Sequence, residues 1–244
     1  MCKLNILLIE EKVPFLILPV KDPIACHIID VLKARKGDEI DIGVQNGPKG
    51  KATLSAITDD VVHLLIQWNE DHTNDLYPIG LLVGLSRPQT CRKILEQASA
   101  LGASRIDFFV SDKSEPSYRE SRLWKTNEWK DKIIKGSEQA FSTFIPECQV
   151  WNSLAECTEQ LRANSLRLAF DNYESVQTLE DLKSWKENQY YHIAVGAERG
   201  WSKEERRFLI EDQFSFLSMG PRVLRQETAV VVAMGQVLSQ FWKT

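Results

Sequence analysis

The sequence predicts an α/β protein, with a mainly parallel sheet over residues 76–244 preceded by a small β-barrel domain over residues 1–72. Three observations carry this. From Ile79 onward, apolar strand-like runs alternate with helical stretches, the pattern of a parallel sheet buried on both faces. Before that, short strands predominate and only one helix is apparent, which suits a small barrel. Between the two lies Asn69-Glu-Asp-His-Thr-Asn-Asp75, polar throughout, which reads as a linker.

In the first domain, Leu4–Ile9 and Phe15–Leu18 are short apolar strands. Asp22-Pro23 opens a helix that runs to Leu32. Lys33, Arg35 and Lys36 suit its C-terminal end, and Gly37 its left-handed cap. Glu39–Val44, Lys51–Leu54 and Val61–Trp68 are strands by β-branched content and alternation. A hairpin at Asn46–Gly50 joins the first two, and Thr58–Asp60 turns into the third. In the second domain the strands are Ile79–Leu85, Ile106–Val110, Cys148–Trp151, Leu166–Phe170, Tyr190–Val195 and Phe214–Met219. Helices are expected over Cys91–Leu101, Ser121–Phe141, Leu154–Leu161 and Leu179–Trp185, and through the apolar run that ends at Phe241. One more starts at Ser202, where Ser202 and Glu205 have capping-box spacing.

Net charge is −4 for the whole chain, all of it in residues 1–75, so any nucleic-acid contact must use local basic patches. The five cysteines are odd in number and form no C-x-x-C pair, and the four histidines have no ligand spacing. A reducing compartment and no structural metal follow. Leu4–Ile9 is too short for a signal peptide or a membrane span, so a cytoplasmic protein without membrane attachment is expected. Neither a G-x-G-x-x-G nor a P-loop pattern is present, which argues against a dinucleotide or ATP site.

Two loops stand out. Phe216-Leu-Ser-Met-Gly-Pro-Arg-Val-Leu-Arg-Gln-Glu-Thr-Ala229 leaves an apolar strand, turns at Gly220-Pro221, and enters an apolar helix. Ile193-Ala-Val-Gly-Ala-Glu-Arg-Gly-Trp-Ser202 does the same upstream. Glycine-containing loops at one end of neighbouring strands form a small-ligand pocket.

These motifs resemble those of the bacterial methyltransferases that modify N(3) of a uridine in small-subunit (16S) ribosomal RNA, members of the SPOUT (α/β trefoil-knot) superfamily. Gly220-Pro-Arg-Val-Leu-Arg-Gln-Glu-Thr-Ala229 is similar to that family's L-G-x-x-[IV]-L-R-x-E-T-A signature, with Met219 for the leucine. Gly196-Ala-Glu-Arg-Gly-Trp-Ser202 is similar to its G-P-E-G-G-[FL]-S loop. Glu138-Gln139 with Ile145-Pro146, Ala98–Gly102, and His27 with Val31-Leu-Lys33 are similar to further landmarks, the last in its PUA-like barrel. The resemblance implies a knotted C-terminal domain, a homodimer, S-adenosyl-L-methionine as cofactor and ribosomal RNA or the small subunit as partner.

It also implies a cofactor site of Phe170, Asp171, Val195, Gly196, Ala197, Glu198, Gly200, Leu217, Ser218, Met219, Gly220, Val223 and Leu224. Gly196, Gly200 and Gly220 would allow backbone to approach the cofactor closely. Deprotonated uracil spreads negative charge onto its carbonyl oxygens, and Arg225, charged at any working pH, would stabilise it. Glu227 is the candidate acid–base partner. Lys33, Arg35, Lys36 and Arg222 are the candidate RNA contacts. Departures keep alternatives open. Ala140–Phe144 lacks the family's arginines, Gln97 and Ala100 replace a lysine and a glutamate, and Arg199 replaces a glycine. The chain could bind the cofactor yet modify another RNA site, or act as a non-catalytic RNA- or ribosome-binding module.

Overall fold

The fully buried β1 (Leu7–Ile9) and the strands β2 (Phe15–Pro19), β3 (Glu39–Val44), β4 (Lys49–Ile57) and β5 (Val61–Trp68), of which β4 and β5 alternate in burial, close a core that includes Leu18, Ile40, Ile42, Leu54, Val62 and Leu64. The structure, a computed structural model, describes residues 5–70, 72–175, 177–182 and 189–242. The five strands form a curled mixed sheet in the order β1-β3-β4-β5-β2, with β1 parallel to β3 and the other neighbours antiparallel. Helix α1 (Pro23–Cys26) starts at Asp22, whose side chain accepts from the Ile24 N–H, and continues as a π-helical turn over His27–Val31. The expected β3–β4 hairpin is present, with Asn46 in the left-handed region at φ 56°.

The chain divides into two compact units, and the division departs from a single cut at the linker. The first unit holds Met1–Asp75 and also Ser137–Ile145, a stretch that sequence reading gave to the second domain. Hydrogen bonds explain this. Ile6 N–H donates to the Glu138 carbonyl and Leu8 N–H to Glu138 Oε1, both at 3.1 Å. Asn46 N–H donates to the Thr143 carbonyl at 2.8 Å, and Thr143 Oγ1 donates to the Gly47 carbonyl at 2.7 Å. The segment that lacks the arginines expected after Glu138-Gln139 is thus laced into the barrel-like unit.

The second unit is a six-stranded parallel sheet ordered β11-β9-β10-β6-β7-β8. In chain order its elements are β6 (Tyr77–Gly84), α2 (Pro88–Ala100), β7 (Ala103–Phe109), α3 (Arg122–Lys125), α4 (Glu128–Gln139, whose last residues count with the first unit), β8 (Glu147–Trp151), α5 (Leu154–Thr158), β9 (Ser165–Phe170), β10 (Tyr190–Val195), α6 (Lys203–Glu211), β11 (Ser215–Leu217) and α7 (Gln226–Phe241). Every residue of β10 is buried, as a central parallel strand covered on both faces requires. Such burial stabilises the fold by about 1.5–3 kcal/mol for each large apolar side chain.

Several expected boundaries move. The helix over Ser121–Phe141 is broken at Thr126, whose backbone is extended and whose hydroxyl accepts from the Glu128 N–H, starting α4 afresh. The left-handed stop after the first helix falls at Lys33 (φ 48°), because the π turn brings the Ala34 N–H back to the Ile28 carbonyl. Gly37 takes its own positive φ in the next turn. Leu154–Leu161 shortens to α5, since Gln160 and Leu161 donate only three residues back. β11 stops at Leu217, because the Ser218 N–H turns to the Gln177 carbonyl. Of the helix expected over Leu179–Trp185, Leu179–Asp181 form a 3₁₀ turn among the described residues, and residues 183–188 lie outside them, as does Leu4 of the first strand.

Candidate functional site

Three loops meet at the C-terminal ends of β9, β10 and β11. The two glycine loops were expected on neighbouring strands. In the sheet, β9 lies between β10 and β11, so its own loop fills the centre. Asp171, which opens that loop, is buried and accepts from the Tyr173 N–H through Oδ1, while Oδ2 ion-pairs with Arg206 Nε at 2.5 Å. Its carboxylate is therefore spent on shaping the loop. Asn172 ties the loop to the next one, donating from Nδ2 to the Arg222 carbonyl at 2.6 Å, and its Oδ1 is buried without a partner.

The loop after β10 is held by Trp201. Its ring is buried and stacks on Phe109 at 6.0 Å, and its Nε1 donates to the Phe170 carbonyl at the end of β9. Gly200 sits at φ +68°, which an L side chain rarely adopts. A Cβ on Gly196 would press at 3.0–3.1 Å on Gly200 and Trp201. Gly84, at the end of β6, is tighter still, because a Cβ there would run into the backbone of Gly196 and Ala197. Ser202 and Glu205 form the expected capping box at the start of α6.

The loops line a cleft that is open to solvent. Ten expected site residues line it, namely Phe170, Asp171, Val195, Gly196, Ala197, Glu198, Gly200, Met219, Val223 and Leu224. Leu217, Ser218 and Gly220 do not. Leu217 is buried in the sheet, and Ser218 and Gly220 face a neighbouring hollow with Met219. Gly220 has φ +95° and open space around its Cα, so it serves the turn and not a close approach. Sequence reading missed Asn172, Tyr173, Trp201, Gln226 and Ala229 in this lining. Tyr173 and Val223 are exposed, at 69 and 75 %, and place an aromatic ring and an aliphatic side chain at the rim of the cleft beside exposed Glu198.

Gln226 is the best placed of these. It is 5 % exposed, and its Nε2 donates to the Gly84 and Gly196 carbonyls, both at 2.7 Å. One side chain thus clamps the ends of β6 and β10. Its Oε1 has no partner.

A second, open recess shares Glu198, Leu224 and Gln226 with the cleft. Arg87, Thr90, Lys93, Arg225 and Glu227 complete most of its wall. Arg225 is the N-cap residue of α7 and is exposed; its carbonyl accepts from the Ala229 N–H at 2.8 Å, while its guanidinium makes no hydrogen bond or ion pair among the described residues. Glu227 instead pairs with Lys93 Nζ at 3.0 Å. Burial pushes the Glu227 carboxyl up, but its own backbone N–H, Lys93 and Arg225 outweigh that and hold it below the ordinary glutamate value. Glu198 accepts from Thr90 Oγ1 at 3.2 Å and lies 3.7 Å from Arg87 Nε. Arg87 and Lys93 were not singled out in the sequence. Arg87-Pro88 directly after an apolar parallel strand was the available signal, since ligands bind beyond the carboxyl ends of such strands. Arg222 in this unit and Lys33, Arg35 and Lys36 in the first are exposed. Among the described residues no group of three His, Cys, Asp or Glu side chains could hold a metal, and no helix is long and apolar enough to cross a membrane.

Known proteins share this chain's sequence pattern and fold. The RNA methyltransferase domain family matches residues 73–238. The ribosomal RNA small subunit methyltransferase E of Treponema pallidum is 32% identical, over 98% of this chain and 93% of its own length. Ribosomal RNA small subunit methyltransferase E 1 of Borreliella burgdorferi is 25% identical, over 87% of this chain and 88% of its own. Among solved structures, the ribosomal RNA small subunit methyltransferase E of Neisseria gonorrhoeae bound to S-adenosyl methionine aligns with TM-score 0.80 at 19% identity, covering 98% of both chains.

Proposed function

We infer the function from one premise: this chain belongs to the RNA methyltransferase family, alongside the ribosomal RNA small subunit methyltransferase E proteins it matches almost end to end. It is an S-adenosylmethionine-dependent methyltransferase of small-subunit ribosomal RNA. The observation that carries the site assignment is the pairing of a cleft between three loops with a recess that holds an unpaired arginine.

The cleft suits the cofactor on its own features. Gly196 and Gly200 line it without side chains, so peptide groups form part of its wall, and Gln226, another lining residue, carries an orphaned buried acceptor, Oε1. Bound in it, S-adenosylmethionine supplies an electrophilic methyl group. Val195, Leu224 and Ala229 offer apolar contact, and Gly196 to Gly200 offer peptide groups. Asp171 and Gln226 act by holding the loops in place.

The acceptor is placed in the Arg225 recess. Uracil N(3) becomes nucleophilic when its proton passes to water in the solvent-open recess, and the charge then spreads to the carbonyl oxygens beside it. Arg225, tethered at the start of α7, stabilises that charge, and Arg87 and Lys93 add to the positive field. Glu227 is a weak base at neutral pH because Lys93 and its own N–H hold it ionised, so its role here is to fix Lys93 and the start of α7. Lys33, Arg35, Lys36 and Arg222 contact RNA phosphates. The working form is a cytoplasmic homodimer, a reading supported by the resemblance and by half-buried Val231, Val232 and Gly235 on α7. The test is mass mapping of methylated nucleotides in small-subunit ribosomal RNA after incubation with the protein and S-adenosylmethionine. One new N(3)-methyluridine is expected. A methyl group at another position would reassign the acceptor, and none at all would leave a binding module.

A further inference from the structure

Gln226 has its amide orientation fixed by geometry. Both Nε2 hydrogens are committed, one to the Gly84 carbonyl and one to the Gly196 carbonyl. Swapping the amide would set oxygen against two oxygens at 2.7 Å, so Oε1 must be the free atom. It is buried, lacks a donor, and belongs to a residue that lines the cleft. A buried acceptor left without a donor is costly, and a ligand that supplies one is favoured over a ligand that does not.

The lining of the cleft includes the apolar side chains of Val195, Trp201, Leu224 and Ala229, while its polar members Asp171 and Asn172 are tied to Arg206 and to the Arg222 carbonyl. An S-adenosyl ligand has one flat, uncharged end, its purine, while its ammonium, carboxylate and sulfonium are best left near solvent. The purine carries a single N–H donor group, the 6-amino group. Asn172 Oδ1 is also unpaired, but Asn172 is only half-buried, whereas Gln226 is 5 % exposed.

We propose that Gln226 is a specificity-determining residue of the cofactor site, whose Oε1 accepts a hydrogen bond from the 6-amino group of the adenine ring. The proposal rests on the cleft being the S-adenosylmethionine site. Gln226 then has two functions in one side chain: Nε2 holds the β6 and β10 ends together, and Oε1 reads the base.

Calorimetric titration with S-adenosylhomocysteine and with its 6-deamino analogue, which carries hydrogen in place of the amino group, tests this. Wild-type protein is expected to prefer the amino ligand by about tenfold, the size of one unmet buried hydrogen bond. In Gln226→Met, which keeps length and volume, that preference falls to less than about threefold, whatever happens to affinity for both ligands together. A purely structural role would weaken both ligands equally and leave the ratio unchanged, which overturns the proposal. Equal wild-type affinity for the two ligands overturns it as well, without recourse to any variant, and leaves the cofactor reading intact. Wild-type protein that takes up neither ligand at millimolar concentration removes both.

Discussion

Arg225 is set apart from the other charged side chains of its recess by what it lacks. Lys93 is engaged by Glu227, and Arg87 lies beside Glu198, while Arg225 is left facing solvent from the N-cap of α7. An unengaged cation beside a cofactor cleft suits charge that appears only during reaction, and its removal should show in turnover more than in binding. Arg225→Ala is expected to lower single-turnover methyl transfer about 100-fold, with S-adenosylmethionine affinity held within about twofold because Arg225 does not line the cleft. Unchanged turnover would remove the assignment. Arg225 and the glycine loops were legible because their chemistry is local to a short motif. Gln226 was not, since an amide in an apolar helix start says nothing about two carbonyls 142 and 30 residues away.

Strand ends, and the loops they launch, carry the next level. Gly84 closes β6 where the backbone of the β10 loop passes, and a methyl group there would force Gly196 and Ala197 outward. Gly84→Ala should therefore weaken S-adenosylmethionine binding by about tenfold or more, as expected of the 1–3 kcal/mol cost of overpacking. Ile57→Ala in the first unit, where the side chain is exposed and outside the cleft, should leave binding unchanged. Equal effects from the two would deny the close approach. β10 also carries His192, which is buried and accepts from the Arg162 N–H through Nε2. Burial, followed by Arg167, Arg162 and Arg105, holds its pKa down to about 3. The native state thus keeps His192 neutral, while the unfolded chain takes up a proton below about pH 6.5. Stability is full above that value and declines as pH falls toward 3, by about 1.4 kcal/mol per unit. Urea unfolding at pH 7.5 and 5.5 should show this loss in wild-type protein and less of it in His192→Gln. An identical pH dependence in both would exclude His192 as its source. The sheet itself was legible in the sequence as alternating apolar runs. The break at Thr126 and the π turn before Lys33 were not, because each depends on one hydrogen bond that competes with a regular helix.

For the whole molecule, the two-part organisation could be read from composition, but the assignment of Ser137–Ile145 to the first unit could not. That segment joins it through Glu138, Thr143 and their partners in β1 and the β3–β4 hairpin, which lie more than ninety residues away in sequence. RNA binding at this scale depends on patches, since residues 1–75 carry all of the net negative charge. Replacing Lys33, Arg35 and Lys36 by alanine should weaken RNA binding and flatten its salt dependence by about 0.7–0.9 in log–log slope for each phosphate these side chains neutralise. A slope equal to that of wild-type protein would clear these residues of a phosphate role. The central claim is that the ends of β9, β10 and β11 form the S-adenosylmethionine site. Its most direct test is isothermal titration of wild-type protein and Gly84→Ala with S-adenosylmethionine. The account predicts one saturable site per chain in the wild type and at least about tenfold weaker binding in the variant. No uptake by wild-type protein, or equal affinity in the two, would contradict it.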